Sequence, residues 1–374
     1  MIKFWSYKKE YQKYKKNILS NLRKTINNGS IFFGEELIKF EKNFIKKYKS
    51  KYGIAVGSGT DAILLSLKSI GIGPGDEVIT ASNTAIPTIS AIINSGAKPI
   101  LVDTGDDYLI DINKIEREIN SKTKAIIPVH LYGQVCNMDK IIEIAKRRKI
   151  KIIEDCAQAQ GAKYKHKYAG TFGELGCFSF YPTKILGAYG DGGFILTNNY
   201  NLFKKIKRLR FYGIETESNT IYKNKYYSYE NGFNSRIDEL QISILNFKLK
   251  KVDSFIKKRK ILAKIYLDEL SSTNLRLPYE NPENEHVYHL FTVYHSKRNF
   301  IVKQLLKRKI ETRVIYPYPI QKMEAYRKLI LNKNRLQNSE NLSKGIFSLP
   351  LYPELTIKEV KFVCKILRKI IKEI

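Results

Sequence analysis

Two rhythms of apolar and polar residues divide this chain. Residues 7–28 and 35–48 carry apolar positions at helical spacing, so each predicts an amphipathic helix. GSIFFGEE (29–36) joins them as a glycine-bounded loop, and residues 29–34 either line a site or simply connect the helices. From residue 53 the rhythm becomes apolar run, glycine turn, helix, repeated. It predicts strands at GIAV (53–56), EVITAS (77–82), KPILVD (98–103), KAIIPVHLYG (124–133) and KIIEDCAQ (151–158, with its exit loop). It predicts helices from GSGTDA (57–62) through Ile70, with Ser58 or Thr60 as cap. Others run from Asn83, Thr84 and Pro87 to about Ser95, over 111–120 and over 137–148. This alternation predicts a mainly parallel sheet with helices on both faces, an α/β fold.

Further along, Cys177 to Phe180 reads as a short strand ended by Pro182, and Phe194 to Thr197 as the next. A basic helix follows over 201–210, then a polar stretch, FYGIETESNT (211–220). The aromatic YKNKYYSYENGFNSRIDELQ (222–241) turns helical from about Ser235. A long amphipathic helix then reaches about residue 269, with a break near Val252 to Ser254. That break marks a domain boundary. Residues 1–250 form a large domain and 251–374 a smaller α+β one, with a strand at HVYHLFTVY (286–294), a helix over 298–308, a turn at YPYP (316–319) and a closing helix from 356.

Charge changes the picture only slightly. The 374 residues carry a net charge of +30, which raises nucleic acid or an acidic membrane surface as a partner. The basic residues are spread through a chain rich in Ile, Lys, Asn and Tyr, however, and no nucleic-acid fold motif accompanies them. A positive surface also favours a small anionic substrate. The four cysteines form no CxxC pair and the histidines show no metal-ligand spacing, so free thiols in a reducing cytoplasm are expected and no metal. The N-terminus lacks the apolar core of a signal peptide, and no apolar run is long enough to span a membrane.

Candidate chemistry sits where the strands end, because ligands of such sheets bind beyond the carboxyl ends of the strands. GSGT (57–60) offers backbone N–H groups at a helix N-terminus, an anion site. Asp103, His130, Asp155 and Gln158 end later strands. Of the acidic pair Glu154 and Asp155, one residue faces the sheet or solvent and the other a site; a buried structural role is the plainer alternative for Asp155. Lys184 lies among glycines and aromatics between two apolar strands. Such a lysine is a candidate for a depressed pKa and imine chemistry, because burial disfavours its charged form. The plainer alternative is an exposed lysine at a hairpin tip. Phosphate cradle, aspartate and lysine, in this order along the chain, together match what pyridoxal phosphate needs.

The sequence resembles the DegT/DnrJ/EryC1/StrS family of aminotransferases. The resemblance is densest in SGTDA (58–62), GPGDEVI (73–79), KAIIPVHLYGQ (124–134), IEDCAQAQGA (153–162), CFSFYPTKILGAYGDGG (177–193) and NSRIDELQ (234–241). It implies a three-layer fold-type-I transferase with a mixed, mainly parallel sheet, a pyridoxal 5'-phosphate cofactor, and a homodimer with sites at the subunit interface. It implies Lys184 as the Schiff-base lysine, Asp155 as partner of the pyridine nitrogen and Gln158 near the ring hydroxyl. Gly59, Thr60 and Ser179 match phosphate ligands, and Asn234 the residue reaching the neighbouring subunit's phosphate. Ala85 stands where the family often places an aromatic over the ring. The implied reaction moves an amino group from L-glutamate to a nucleotide-linked keto-sugar. TRVIYPYPIQKMEAY (312–326) resembles members aminating 3-keto sugars, with Ile315 and Gln321 where histidines are common. A dTDP-3-keto-6-deoxyhexose is therefore favoured over a UDP-3-keto or a UDP- or GDP-4-keto sugar. Sugar dehydratases of the family carry histidine in place of the lysine, so Lys184 argues against that activity. A non-catalytic regulator or scaffold is the distant alternative.

Overall fold

The computed structural model describes residues 1–215, 227–330 and 336–374. Two helices open the chain, α1 (Tyr7–Asn27) and α2 (Glu35–Tyr48). Ser6 caps α1 by accepting from the Lys9 N–H at 3.3 Å. No side chain of its own caps α2. The Glu239 carboxylate, some 200 residues on, accepts from the N–H groups of Gly34 (2.9 Å), Glu36 (3.0 Å) and Leu37 (3.2 Å). A carboxylate there satisfies donors that have no intrahelical partner and complements the helix dipole.

The α/β repeat follows: β1 (Tyr52–Val56), α3 (Gly59–Ser69), β2 (Glu77–Ala81), α4 (Ile86–Asn94), β3 (Lys98–Val102), β4 (Thr123–Ile127), α5 (Met138–Arg148) and β5 (Lys151–Asp155). A small hairpin, β6 (Lys163–Tyr164) with β7 (Lys167–Tyr168), leads to β8 (Leu175–Ser179), β9 (Gly193–Thr197) and α6 (Tyr200–Leu209). The main sheet has seven strands in the order β1-β9-β8-β5-β4-β2-β3. β9 runs antiparallel to both its neighbours, and the other pairings are parallel. The expected mainly parallel sheet is therefore present. Its strands are buried almost throughout, as a sheet covered on both faces requires.

Several boundaries differ from the sequence reading. The strand expected over 124–133 stops at Ile127, because Pro128 has no N–H to donate. The chain then makes a tight turn with Tyr132 and Gly133 both at positive φ (57° and 106°). The helix expected over 111–120 is two short 3₁₀ turns, at Ile112–Lys114 and Glu116–Glu118. The polar stretch 211–220 and the start of 222–241 run into residues 216–226, which lie outside the described residues. Helix α7 (Glu239–Leu249) starts at Glu239 rather than Ser235, since the Asp238 side chain caps it by accepting from the Gln241 N–H.

The expected break near Val252 is present: α8 (Val252–Leu270) begins after Lys250 and Lys251. Beyond it lie β10 (Asn284–Glu285), which pairs with β6, β11 (Phe291–Tyr294), α9 (Arg298–Lys307), α10 (Gln337–Gly345), β12 (Ile346–Leu349) and α11 (Ile357–Lys372). Only the last four residues of the apolar run 286–294 form a strand. The rest crosses to the large sheet, where the Val287 N–H donates to Gly133 O and that of Leu290 to Tyr132 O. A second core gathers Leu262, Tyr266, Phe291, Leu305, Phe347, Val363 and Leu367 from these elements. The first residues of the chain join this part rather than the large sheet. Ile2 pairs with Ile310, donating to Lys309 O (2.8 Å) and accepting from Glu311 N (2.9 Å).

Candidate active site

The carboxyl ends of β1, β5 and β8 and the start of α4 surround a cavity of about 300 Å³. Ser58, Gly59, Thr60, Ala85, Asp155, Gln158, Ser179 and Lys184 all line it. Those eight come from four separate stretches of sequence, at 58–60, 85, 155–158 and 179–184.

The end of the cavity at the start of α3 is built by close backbone packing. Ser58 is the cap of α3, accepting from the Asp61 N–H at 3.1 Å. A Cβ on Gly59 would lie 2.6 Å from the Ser179 Cβ, and one on Gly193 would lie 2.2 Å from Ser58 O. Only glycines let this helix start sit so tightly against β8 and β9. Ser235 locks the turn from outside, accepting from the Gly57 N–H and donating to Asp61.

Asp155 ends β5 and is 4% exposed. Thr88 Oγ1 donates to its Oδ2 at 2.8 Å and the Ala157 N–H to its Oδ1 at 3.0 Å, so the carboxylate is held in one orientation. Glu154, its neighbour, points into the sheet's far side. It accepts from Gly170, Phe172 and Gly173 N–H groups and from His130 Nε2. His130 Nδ1 accepts from the Cys136 N–H, which leaves the ring proton on Nε2. His130, Glu154 and Cys156 lie close enough together to suggest a metal. The His130 and Glu154 groups, however, are engaged by protein donors and acceptors. Asp103 is also drawn away from the cavity. It accepts from the Asn338 and Ser339 N–H groups, both at 2.9 Å, and so ties α10 to the large sheet.

Lys184 sits in a tight turn after β8, its N–H donating to Tyr181 O at 2.8 Å. Burial lowers its pKa from 10.5 to about 8, against the opposing pull of Asp155. Lys184 is half-buried and lines the cavity, so it is not an exposed hairpin tip. Gln160, which sequence reasoning missed, steadies this turn by donating to Ser179 O and accepting from the Leu186 N–H. Also missed were Thr88 and Tyr316. Thr88 lies one helical turn from Thr84, whose hydroxyl it meets at 3.0 Å, and that spacing was the available signal. Gln158 Oε1 accepts from the Tyr132 N–H (2.9 Å) and its Nε2 donates to Tyr316 OH (2.7 Å), bringing the C-terminal part over the site. Burial raises the Tyr316 hydroxyl above its ordinary 10.

Asn234 is not part of this cavity. It is exposed, and its Oδ1 accepts from Arg236 Nε at 3.0 Å. It does not cap α7 either, since Asp238 does.

A glycine-built helix start for a phosphate, an oriented buried carboxylate and a lysine with a lowered pKa fit pyridoxal phosphate. Fold and site together define a pyridoxal-phosphate-dependent aminotransferase. The chain belongs to the DegT/DnrJ/EryC1/StrS aminotransferase family, whose model matches residues 12–368. It is 41% identical over 94% of both chains to a dTDP-3-amino-3,4,6-trideoxy-alpha-D-glucose transaminase of Micromonospora megalomicea subsp. nigra. It is 38% identical (95% of this chain, 94% of the other) to a protein of Geobacillus stearothermophilus named pleiotropic regulatory protein. To a dTDP-3-amino-3,6-dideoxy-alpha-D-galactopyranose transaminase of Aneurinibacillus thermoaerophilus it is 39% identical, over 97% and 98%. Among solved structures, S. venezuelae DesV superposes with a TM-score of 0.94 at 34% identity, covering 98% of each chain.

Proposed function

We propose that this enzyme moves an amino group from L-glutamate to C3 of a dTDP-3-keto-6-deoxyhexose. The observation that carries the reading is Lys184, held near pKa 8 in a cavity that Asp155 shares. The dTDP-sugar names of two relatives support the substrate class. UDP-3-keto and UDP- or GDP-4-keto sugars are the alternative acceptors.

Pyridoxal phosphate, when bound, supplies an electron sink for the carbanion left by removing an α-proton. Ser58, Gly59, Thr60 and Ser179 would hold its phosphate, Asp155 would keep the proton on the pyridine nitrogen, and Gln158 would border the ring. Lys184 Nζ, neutral when acting as base, would take the proton from the amino-acid α-carbon and hold it as an ammonium beside the cofactor. A base near pKa 8 is both neutral often enough and strong enough for that transfer at physiological pH. With the keto-sugar the Lys184 ammonium would deliver a proton to the sugar carbon that gains the nitrogen.

Asn234 is exposed and does not line its own cavity, which supports a homodimer with shared sites. Around it Ile31, Phe32, Phe33, Tyr212, Tyr227 and Tyr229 are exposed. Phe33 meets Phe211 at 5.3 Å, and Arg236 covers Phe32 at 4.7 Å. An exposed aromatic face of this kind fits a partner subunit. We assign the large domain to 1–250 and the small one to 251–374, and place the enzyme in the cytoplasm, as four free buried cysteines suit. Among the described residues no helix is long and apolar enough to cross a membrane.

The test is a panel of nucleotide keto-sugars with L-glutamate, following 2-oxoglutarate and the amino sugar. One relative's name favours a regulatory role. A purified protein that stays colourless with added cofactor and transfers no amino group would refute the aminotransferase reading and leave the regulatory one standing.

A further inference from the structure

The cations behind the net charge of +30 differ in how they are used. On α5, Arg147 reaches Glu116 at 2.7 Å and Lys140 reaches Glu143 at 3.2 Å. On α11 the pattern changes. Its apolar side, Val360, Val363, Cys364, Leu367 and Ile370, packs into the second core. Its outer side presents Lys358, Lys361, Lys365, Lys369 and Lys372, all exposed. None of these lysines reaches a carboxylate among the described residues. The helix's own Glu359 is taken by Lys9 at 2.7 Å, and its Arg368 by Glu269. Like charges three and four residues apart repel, so this stripe costs the helix stability that a facing negative surface would return.

α11 lies between α8 and α9 and packs against both. Lys257, Ile261 and Lys264 are exposed on α8, and Phe300, Lys303, Leu306 and Lys307 on α9. All three helices bury their inner sides in the same core, so their exposed stripes face away from it on adjoining helices. At the ends of the α8 stripe, Asp253 is held by Lys47 at 2.6 Å and Asp268 stands exposed.

Large apolar side chains stand in the open among these cations. Phe362 is 46% exposed beside Lys361 and Lys365, and Leu306 is 57% exposed beside Lys307. The backbone of a nucleic acid offers phosphates but no place for such side chains. A second copy of this chain would bring like charge. A bilayer offers both anionic headgroups and, just beneath them, an apolar layer. Lysine suits that surface, because its flexible stem lies along apolar groups while its ammonium stays with the headgroups.

We propose that the outer face of α8, α11 and α9 docks on a bilayer rich in anionic lipid, with the lysines among the headgroups and Phe362 and Leu306 at the acyl boundary. The binding is peripheral, and none of these residues lines the cofactor cavity. It is independent of which keto-sugar the enzyme takes.

The test sediments the full-length, cofactor-loaded protein with vesicles of phosphatidylcholine alone, or with about one-third phosphatidylserine, at physiological salt. Binding to the anionic vesicles only is expected. A lysine near such a surface contributes a factor of about five, so the double variant Lys361→Gln, Lys365→Gln should bind about 25-fold more weakly. Turnover should stay at the parent's level. Phe362→Ser should bind about tenfold more weakly, the scale of burying half a phenylalanine. Lys122→Gln with Lys124→Gln removes the same charge from exposed positions beside β4 and should alter binding by less than about twofold. Equal losses in the two double variants would make the attraction one of diffuse charge and overturn the face. Parent-like binding by Phe362→Ser, or no binding to anionic vesicles, would overturn it as well. So would tighter binding to a duplex DNA fragment than to the vesicles, lost in the Lys361→Gln, Lys365→Gln protein.

Discussion

Replacing Lys184 by methionine removes the amine while keeping much of the side chain's length. Burial has moved this group from 10.5 to about 8, which corresponds to roughly 3 kcal/mol in favour of the neutral amine. Below pH 8 both the folded and the unfolded chain hold the proton, so the folded protein carries the whole cost of a buried ammonium. Between pH 8 and 10.5 the unfolded chain binds more protons, so stability rises with pH and the cost fades. The cofactor-free Lys184→Met protein should therefore be more stable than the parent at pH 7, by up to about 3 kcal/mol. For a chain of this length that is a gain of about 4 °C in melting temperature. The gap should close as pH rises towards 10, and transamination should be lost at every pH. The assay is thermal unfolding of both proteins at matched concentration from pH 6.5 to 10, because assembly alters apparent stability. Residue-resolved amine labelling of the parent should give a Lys184 midpoint near 8. A midpoint near 10.5, or a variant equally stable at every pH, would refute the argument that this lysine is kept poised by burial at a stability cost.

Asp155→Asn should leave the cavity intact but remove the negative partner of the pyridine nitrogen. Cofactor still binds, half-reactions slow by at least about 100-fold, and the Lys184 labelling midpoint falls, since Asp155 is what raises it; an unchanged rate with an altered melting temperature would make Asp155 a structural residue. Gly193→Ala places a methyl 2.2 Å from Ser58 O, so the phosphate turn must shift and cofactor affinity should drop by about tenfold or more, read by equilibrium titration. Mixing Lys184→Ala with Asn234→Asp subunits should restore part of the activity that each lacks, because in the proposed shared-site dimer one site of the mixed pair carries neither change. No recovery after subunit exchange is confirmed by mass would place Asn234 outside its neighbour's site.

The sequence by itself determined much of this enzyme, because local pattern and motif spacing are short-range properties. The apolar runs ended by glycine turns located β1 to β5, β8 and β9, since a strand buried on both faces has to be apolar at nearly every position. That Lys184, Asp155 and the GSGT turn meet at one cavity was legible because they stand at the ends of such strands, where ligands of these sheets bind. Boundaries failed where a neighbour rather than the local pattern decided. Pro128 ended β4, Asp238 set the start of α7, and the run 286–294 gave up half its strand to pair with the turn at Gly133. Only the tertiary structure put Glu239 on the N-terminus of α2, turned Asp103 from a site candidate into the clamp on α10, and set Glu154 facing away from Asp155. It alone carried Trp5 and His289, 284 positions apart in sequence, into one chamber beside Lys184. Nothing in the spacing of such residues encodes their meeting. Long-range packing of buried surface brings them together, and it depends on the whole chain at once.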